Sequence, residues 1–127
     1  ITEQDILEAK VFDDWVVTKA YFNFDVHNMS GSSLDKTGVQ KKFTQKKGYT
    51  IPYGCFVPLK VENLYLAGRD ISGTHMAHSN YRVMPICANM GLAVGVAASL
   101  CVKTGCTPRK LQAADVQKRL TELGVTP

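Results

Sequence analysis

The 127 residues contain no GxGxxG turn, no C-x-x-C pair and only one tryptophan. The first absence removes the glycine cradle that holds a dinucleotide pyrophosphate at a helix start. The second, with no zinc-type spacing elsewhere, leaves the cysteines at 55, 87, 101 and 106 outside any metal or dithiol motif, so no metal is expected. Cys87 and Cys101 fall on one predicted helix, about 21 Å apart at 1.5 Å per residue, too far to bridge. Free thiols point to a reducing, cytoplasmic compartment. Aromatic residues make up 9% and do not interleave with the basic ones, whose densest cluster is Lys41, Lys42, Lys46 and Lys47. A net charge of +4 without a stacking ladder describes a solvated loop, and nucleic acid is not an expected partner.

Charge is absent from residues 84–102, the longest apolar stretch of the chain. Gly91 and Gly95 have the spacing of a membrane helix-dimer face. Pro85, Asn89 and Ser99 interrupt the run, however, and the mean hydropathy of the chain is only −0.08, so a packed helix is expected and a membrane span is not. At about 100° per residue, Ala88, Gly91, Gly95 and Ala98 fall within an arc of roughly 80°. That smooth face suits close approach to a sheet or a cofactor, with Ile86, Leu92, Val96 and Leu100 filling the space around it. Pro85 belongs in the first turn, where its missing N–H has no partner to lose, and Gly105 marks the end.

Upstream, Leu64, Tyr65, Leu66 and Ala67 form a short apolar run that reads as a buried strand. It ends at Gly68, Arg69 and Asp70. Glycine allows close backbone approach, and charged side chains just past a strand's carboxyl end face the crevice where open α/β sheets bind ligands. Residues 71–81 read as a polar loop carrying His75 and His78. The first turn of the following helix, beside Arg82, offers free N–H groups to an anion or a carbonyl oxygen. His75 and His78 are the candidate proton-transfer groups, because neutral imidazole titrates near physiological pH.

The remaining elements are simpler. Thr2 followed by Asp5 predicts an N-cap and a helix over 3–10. Residues 15–26 alternate, with Val16, Thr18, Ala20, Phe22, Phe24 and Val26 on the buried side, and predict a strand. Residues 29–48 read as a long loop. Residues 49–59, with Pro52 and Pro58, predict short edge strands joined at Gly54 that pair with the 15–26 strand. A last helix over 113–123 buries Val116, Leu120 and Leu123 and ends at Gly124.

The order N-L-Y-L-A-G-R-D-I-S-G-T-H, then R-V-M-P-I-C, then M-G-L-A-V-G-V-A-A-S-L, resembles the carboxyl-terminal portion of bacterial FAD-dependent oxidoreductases with a glutathione-reductase-like flavin domain. Leu92 stands where that pattern leads one to expect Gln. The resemblance implies an α/β architecture: the last strand, 64–67, and helix, 84–102, of an FAD-binding Rossmann-like domain in residues 61–127, joined to a small β-rich remnant of the substrate domain in residues 1–60. It implies FAD as cofactor, with Gly68, Arg69 and Asp70 near the ribityl or pyrophosphate part and Arg82, Val83, Met84 and Pro85 at the pyrimidine edge of the flavin. Asp25 and His27 would lie in the substrate domain near the flavin. Because the GxGxxG unit is missing, the chain reads as a fragment, flavin-free and inactive alone and homo-oligomeric through its bare faces, acting in the full-length enzyme on a small-molecule substrate that the sequence does not name. The alternative is a non-catalytic α/β module whose apolar helix docks on a partner chain.

Overall fold

The computed structural model describes residues 1–26 and 45–127. His27 and most of the expected 29–48 loop lie outside the described residues. Among those described, the fold is a two-stranded antiparallel sheet with four α-helices.

Helix α1, Glu3–Leu7, starts as expected: the Asp5 backbone N–H donates to Thr2 Oγ1 at 3.3 Å and the Thr2 N–H donates to Asp5 Oδ2 at 2.9 Å. It stops earlier than residue 10 because Ala9 turns to a positive φ of 53°. Lys10 then folds back, its ammonium 2.9 Å from Asp5 Oδ1.

Strand β1, Trp15–Ala20, pairs with β2, Tyr49–Pro52, in the register Trp15 with Pro52, Val17 with Ile51 and Ala20 with Tyr49. The pairing of these two segments was expected, but β1 ends six residues before the predicted boundary at 26. Irregularities between Trp15 and Val17 and between Val17 and Ala20 rotate the side chains, so Val16, Val17 and Thr18 are all buried where strict alternation was expected. Lys19 sits in the second irregularity with φ 54°, and its backbone presses on Gly48, where a Cβ would come within 2.7 Å of the Lys19 Cα. Only glycine fits there. In place of a second strand, Tyr53–Phe56 forms a 3-10 turn.

Helix α2, His75–Tyr81, corrects the expectation of a loop over 71–81. Thr74 caps it, accepting from the Ala77 N–H at 3.2 Å. Its buried residues include Ser79 and Asn80, so the apolar periodicity that announces a helix is weak. Asn80, fully buried, joins three segments: it accepts from the Tyr49 hydroxyl at 2.7 Å, and its amide donates to the Phe22 carbonyl and to Gln45 Oε1. Gln45 in turn donates to the carbonyls of Ala20 and Lys47. The chain beyond β1 is thus held by side chains where a longer ladder was expected.

Helix α3, Met84–Thr104, begins where expected and runs two residues past the predicted end at 102, with Pro85 in its first turn and Gly105 at φ 67° donating its N–H to the Cys101 carbonyl. Ile86, Met90, Ala93, Ala97 and Cys101 form its buried stripe, which packs on β1 and on α4, Ala113–Glu122. By length and composition α3 could also cross a membrane, with a hydropathy of 1.8. Helix α4 buries Val116 and Leu120; Leu123 lies just past its end and is half exposed. One hydrophobic cluster joins Ile6, Val16, Ile51, Phe56, Met90 and Leu120.

Residues 64–67 do not form the expected strand. A strand needs a neighbour to take its N–H and C=O groups, and among the described residues none lies alongside. Leu66 donates its N–H to the Phe56 carbonyl at 2.9 Å, and Tyr65 anchors the segment through its hydroxyl, 2.5 Å from that of Tyr53. The segment is therefore unpaired, with Leu64 and Ala67 exposed where a buried strand was expected, and a final strand of a parallel Rossmann sheet is absent from the described residues.

Candidate functional site

Gly68 has φ 92°, a conformation that costs a residue with a Cβ roughly 1–2 kcal/mol. A Cβ built on it would lie 3.8 Å from Cys87 Sγ, so the 68–70 turn rests on the first turns of α3. Arg69 and Asp70 are exposed, and their side chains make no hydrogen bond or ion pair with the described residues. Their charges nevertheless reach inward. Burial pushes the Cys87 thiol up, Arg69 acts against that shift and Asp70 adds to it. Tyr81 is pushed up to about 12 by burial, with smaller contributions from Cys55, Asp70 and Cys87. Its hydroxyl donates to the Ile71 carbonyl at 3.2 Å and closes the loop that joins the turn to α2.

On the other side of this corner, Val83 is the N-cap of α3 and gives no side-chain hydrogen bond to the helix. Met84, at 80% exposure, and Pro85 are open to solvent. An uncapped first turn carries N–H groups that the helix itself does not satisfy, together with the positive end of its dipole. The structure therefore brings Gly68, Arg69, Asp70, Val83, Met84 and Pro85 to one corner.

Arg82, expected beside this helix start as a cofactor contact, has its guanidinium engaged by Asp25. Its guanidinium donates to the Asp25 carbonyl at 3.0 Å and to Asp25 Oδ2 at 3.1 Å. The bridge is partly exposed and ties the segment after β1 to the short connection between α2 and α3. His75 opens α2 and is exposed; His78, one turn later, is half buried with its ring edge-on to Tyr81 at 5.4 Å. No group of three metal-ligating side chains converges among the described residues.

Cys87 and Tyr81, which link the two sides of the corner, were not among the residues that sequence reasoning selected. The signal available for Cys87 was its place two residues after Pro85, which puts it in the first turns of α3. Tyr81 carried no such signal.

The sequence profile of the family described as FAD dependent oxidoreductase matches residues 1–120. The chain belongs to this family. Comparisons with curated proteins and with solved structures gave no match. FAD is therefore the cofactor of the full-length enzyme. The residues present fit one end of that cofactor: a positive-φ glycine turn and an uncapped helix start suit the approach of polar, electron-rich atoms. They do not fit its ADP end, because the sequence holds no GxGxxG and the described residues no parallel βαβ unit.

Proposed function

We propose that the chain is the carboxyl-terminal part of a bacterial FAD-dependent oxidoreductase with a glutathione-reductase-like flavin domain, and that it supplies the ribityl and pyrimidine side of the cofactor site. Residues 1–60 would come from the substrate domain and residues 61–127 from the flavin domain. The observation that carries this reading is the seating of the Gly68–Asp70 turn against the uncapped start of α3.

When bound, FAD supplies the redox chemistry, accepting a hydride or electron pair from the substrate. The chain's own part is binding and electrostatics. Arg69 and Asp70, unengaged by the described residues, would take ribityl or phosphate oxygens. The N–H groups near Val83 and Met84 would favour negative charge at the pyrimidine edge. Arg82 would act there through its field and through its hold on Asp25, since its guanidinium is already engaged. His75 and His78 would handle the substrate proton, His75 being the more accessible.

Three features support the fragment reading. The pyrophosphate cradle is missing from the sequence. Segment 64–67 has no strand beside it among the described residues. The Gly91 and Gly95 side of α3 meets nothing within 4 Å of an added Cβ. Covered by the rest of a flavin domain, that side would be an internal surface, which accounts for an apolar α3 better than lipid does, since the helix already buries one stripe in protein. Alone, the chain would hold no FAD, show no turnover and self-associate through these faces.

The test is a fluorescence titration of FAD against the longer gene product and its Gly68→Val variant. The expected result is about tenfold weaker binding for the variant, the equivalent of ~1.4 kcal/mol. Equal affinity would remove Gly68 from the site.

A further inference from the structure

Cys101 and Cys106 meet at the carboxyl end of α3, where Gly105 turns the chain back. Their sulfurs are 3.8 Å apart, and the Cys106 N–H donates to the Cys101 carbonyl at 3.2 Å, which fixes the two backbones side by side. Cys101 is buried and Cys106 is half exposed. The sulfurs also sit at the end of a chain of hydroxyl groups. Tyr53 donates to the Pro108 carbonyl at 2.7 Å, so its 2.5 Å contact with Tyr65 is filled by the Tyr65 proton. With that proton committed, the 3.3 Å contact between Tyr65 and Cys101 is filled by the Cys101 S–H, and Cys106 donates to Cys101. The Thr104 hydroxyl lies 2.8 Å from the Leu100 carbonyl and 3.2 Å from Cys106 Sγ, so its one proton has the carbonyl as the nearer acceptor and the sulfur as the other.

We propose that Cys101 and Cys106 are a reversible dithiol–disulfide site, oxidised by hydrogen peroxide with Cys106 as the first sulfur to react. Cys106 is the accessible member, and burial holds the Cys101 thiol protonated by pushing it up. The Cys106 thiolate attacks one peroxide oxygen; an S–O bond forms, the O–O bond breaks, and the departing hydroxide takes the thiol proton to leave as water. The Cys101 sulfur then attacks the Cys106 sulfenic sulfur. The S–S bond forms, the S–O bond breaks, and the second hydroxide leaves as water with the Cys101 proton. Two thiols lose two electrons and the peroxide gains them. A sulfur separation already below 4 Å asks only for side-chain rotation and a small backbone adjustment.

The experiment is peroxide treatment of the folded protein, alkylation of the remaining thiols and tryptic peptide mapping. Cleavage after Lys103 separates the two cysteines, so the disulfide joins peptide 83–103 to peptide 104–109. Cys87 shares the first peptide, and a Cys87→Ser variant assigns the bond. The expected result is a cross-link in the parent protein and in Cys87→Ser, reversed by dithiothreitol, and lost in Cys101→Ser and Cys106→Ser. Should Cys101→Ser fold poorly, the half-exposed Cys106→Ser decides the matter. Oxygen uptake on Cys106 without a cross-link, or a cross-link that survives in Cys101→Ser, would overturn the proposal.

Discussion

Asn80 does more for this fold than any residue its size would suggest, because its one amide satisfies groups from three segments. Replacing it by Ala strands the buried Tyr49 hydroxyl and the Phe22 carbonyl. An unsatisfied buried group such as the Tyr49 hydroxyl costs about 1–3 kcal/mol and the part-buried Phe22 carbonyl less, so Asn80→Ala is expected to lower the urea midpoint by an equivalent of ~1–3 kcal/mol. Tyr49→Phe in the same background removes one stranded group and should recover part of the loss; strict additivity of the two changes would show that the bond contributes nothing. Little of this was legible in the sequence. A buried Asn pairs through distance in space, and its position in a polar stretch looked like loop composition. Arg82 gives the same lesson: its place beside a helix start was readable, while its bond to Asp25, across 57 positions of chain, was not. Gly68 was readable, since a glycine that ends an apolar run signals a turn whether or not the run is a strand.

At the scale of elements, α3 was read to within a residue or two because both its ends carry local signals, Pro85 and Gly105. Helix α2 was missed because its buried face includes Ser79 and Asn80, and Thr74 gave the only cap signal. Segment 64–67 was over-read, since an apolar run does not supply the neighbour a strand needs, and without one Leu64 and Ala67 stay exposed. The bare side of α3 allows a sharp test. Gly91 and Gly95 are helical and open, so Ala at either should stabilise the chain by ~0.5–1 kcal/mol through helix propensity and a less free unfolded state, read by thermal unfolding. In the longer protein, Gly95→Leu is expected to lower flavin retention, because that side would be covered. Equal retention would mean that this side of α3 stays exposed there too.

Taken whole, the molecule is a small core that holds the phenols of Tyr49 and Tyr81 buried and that of Tyr65 half-buried, and its stability should depend on pH accordingly. Burial is the leading cause of the raised values of Tyr49, Tyr65 and Tyr81. In the unfolded chain the same phenols ionise near pH 10. The folded state therefore holds more protons than the unfolded state above that pH, and stability is intact below about pH 10 and falls as pH rises beyond it. Circular dichroism and phenolate absorbance, followed together through an alkaline titration, should change in concert for these three tyrosines. Phenolate appearing well before the loss of structure would show that the rings are accessible. The family assignment was legible from the ordered motifs of residues 63–102, whereas the strand expected with them at 64–67 does not form, and the described residues hold only β1 and β2.

We propose that this chain holds the flavin side of an FAD site and lacks the ADP side. The most direct test is gel filtration of the chain and of the longer gene product, each with excess FAD, followed by an absorbance spectrum of the protein peak. Flavin bands are expected with the longer product and none with the chain alone. Flavin retained by the chain alone, or by neither form, would contradict the proposal.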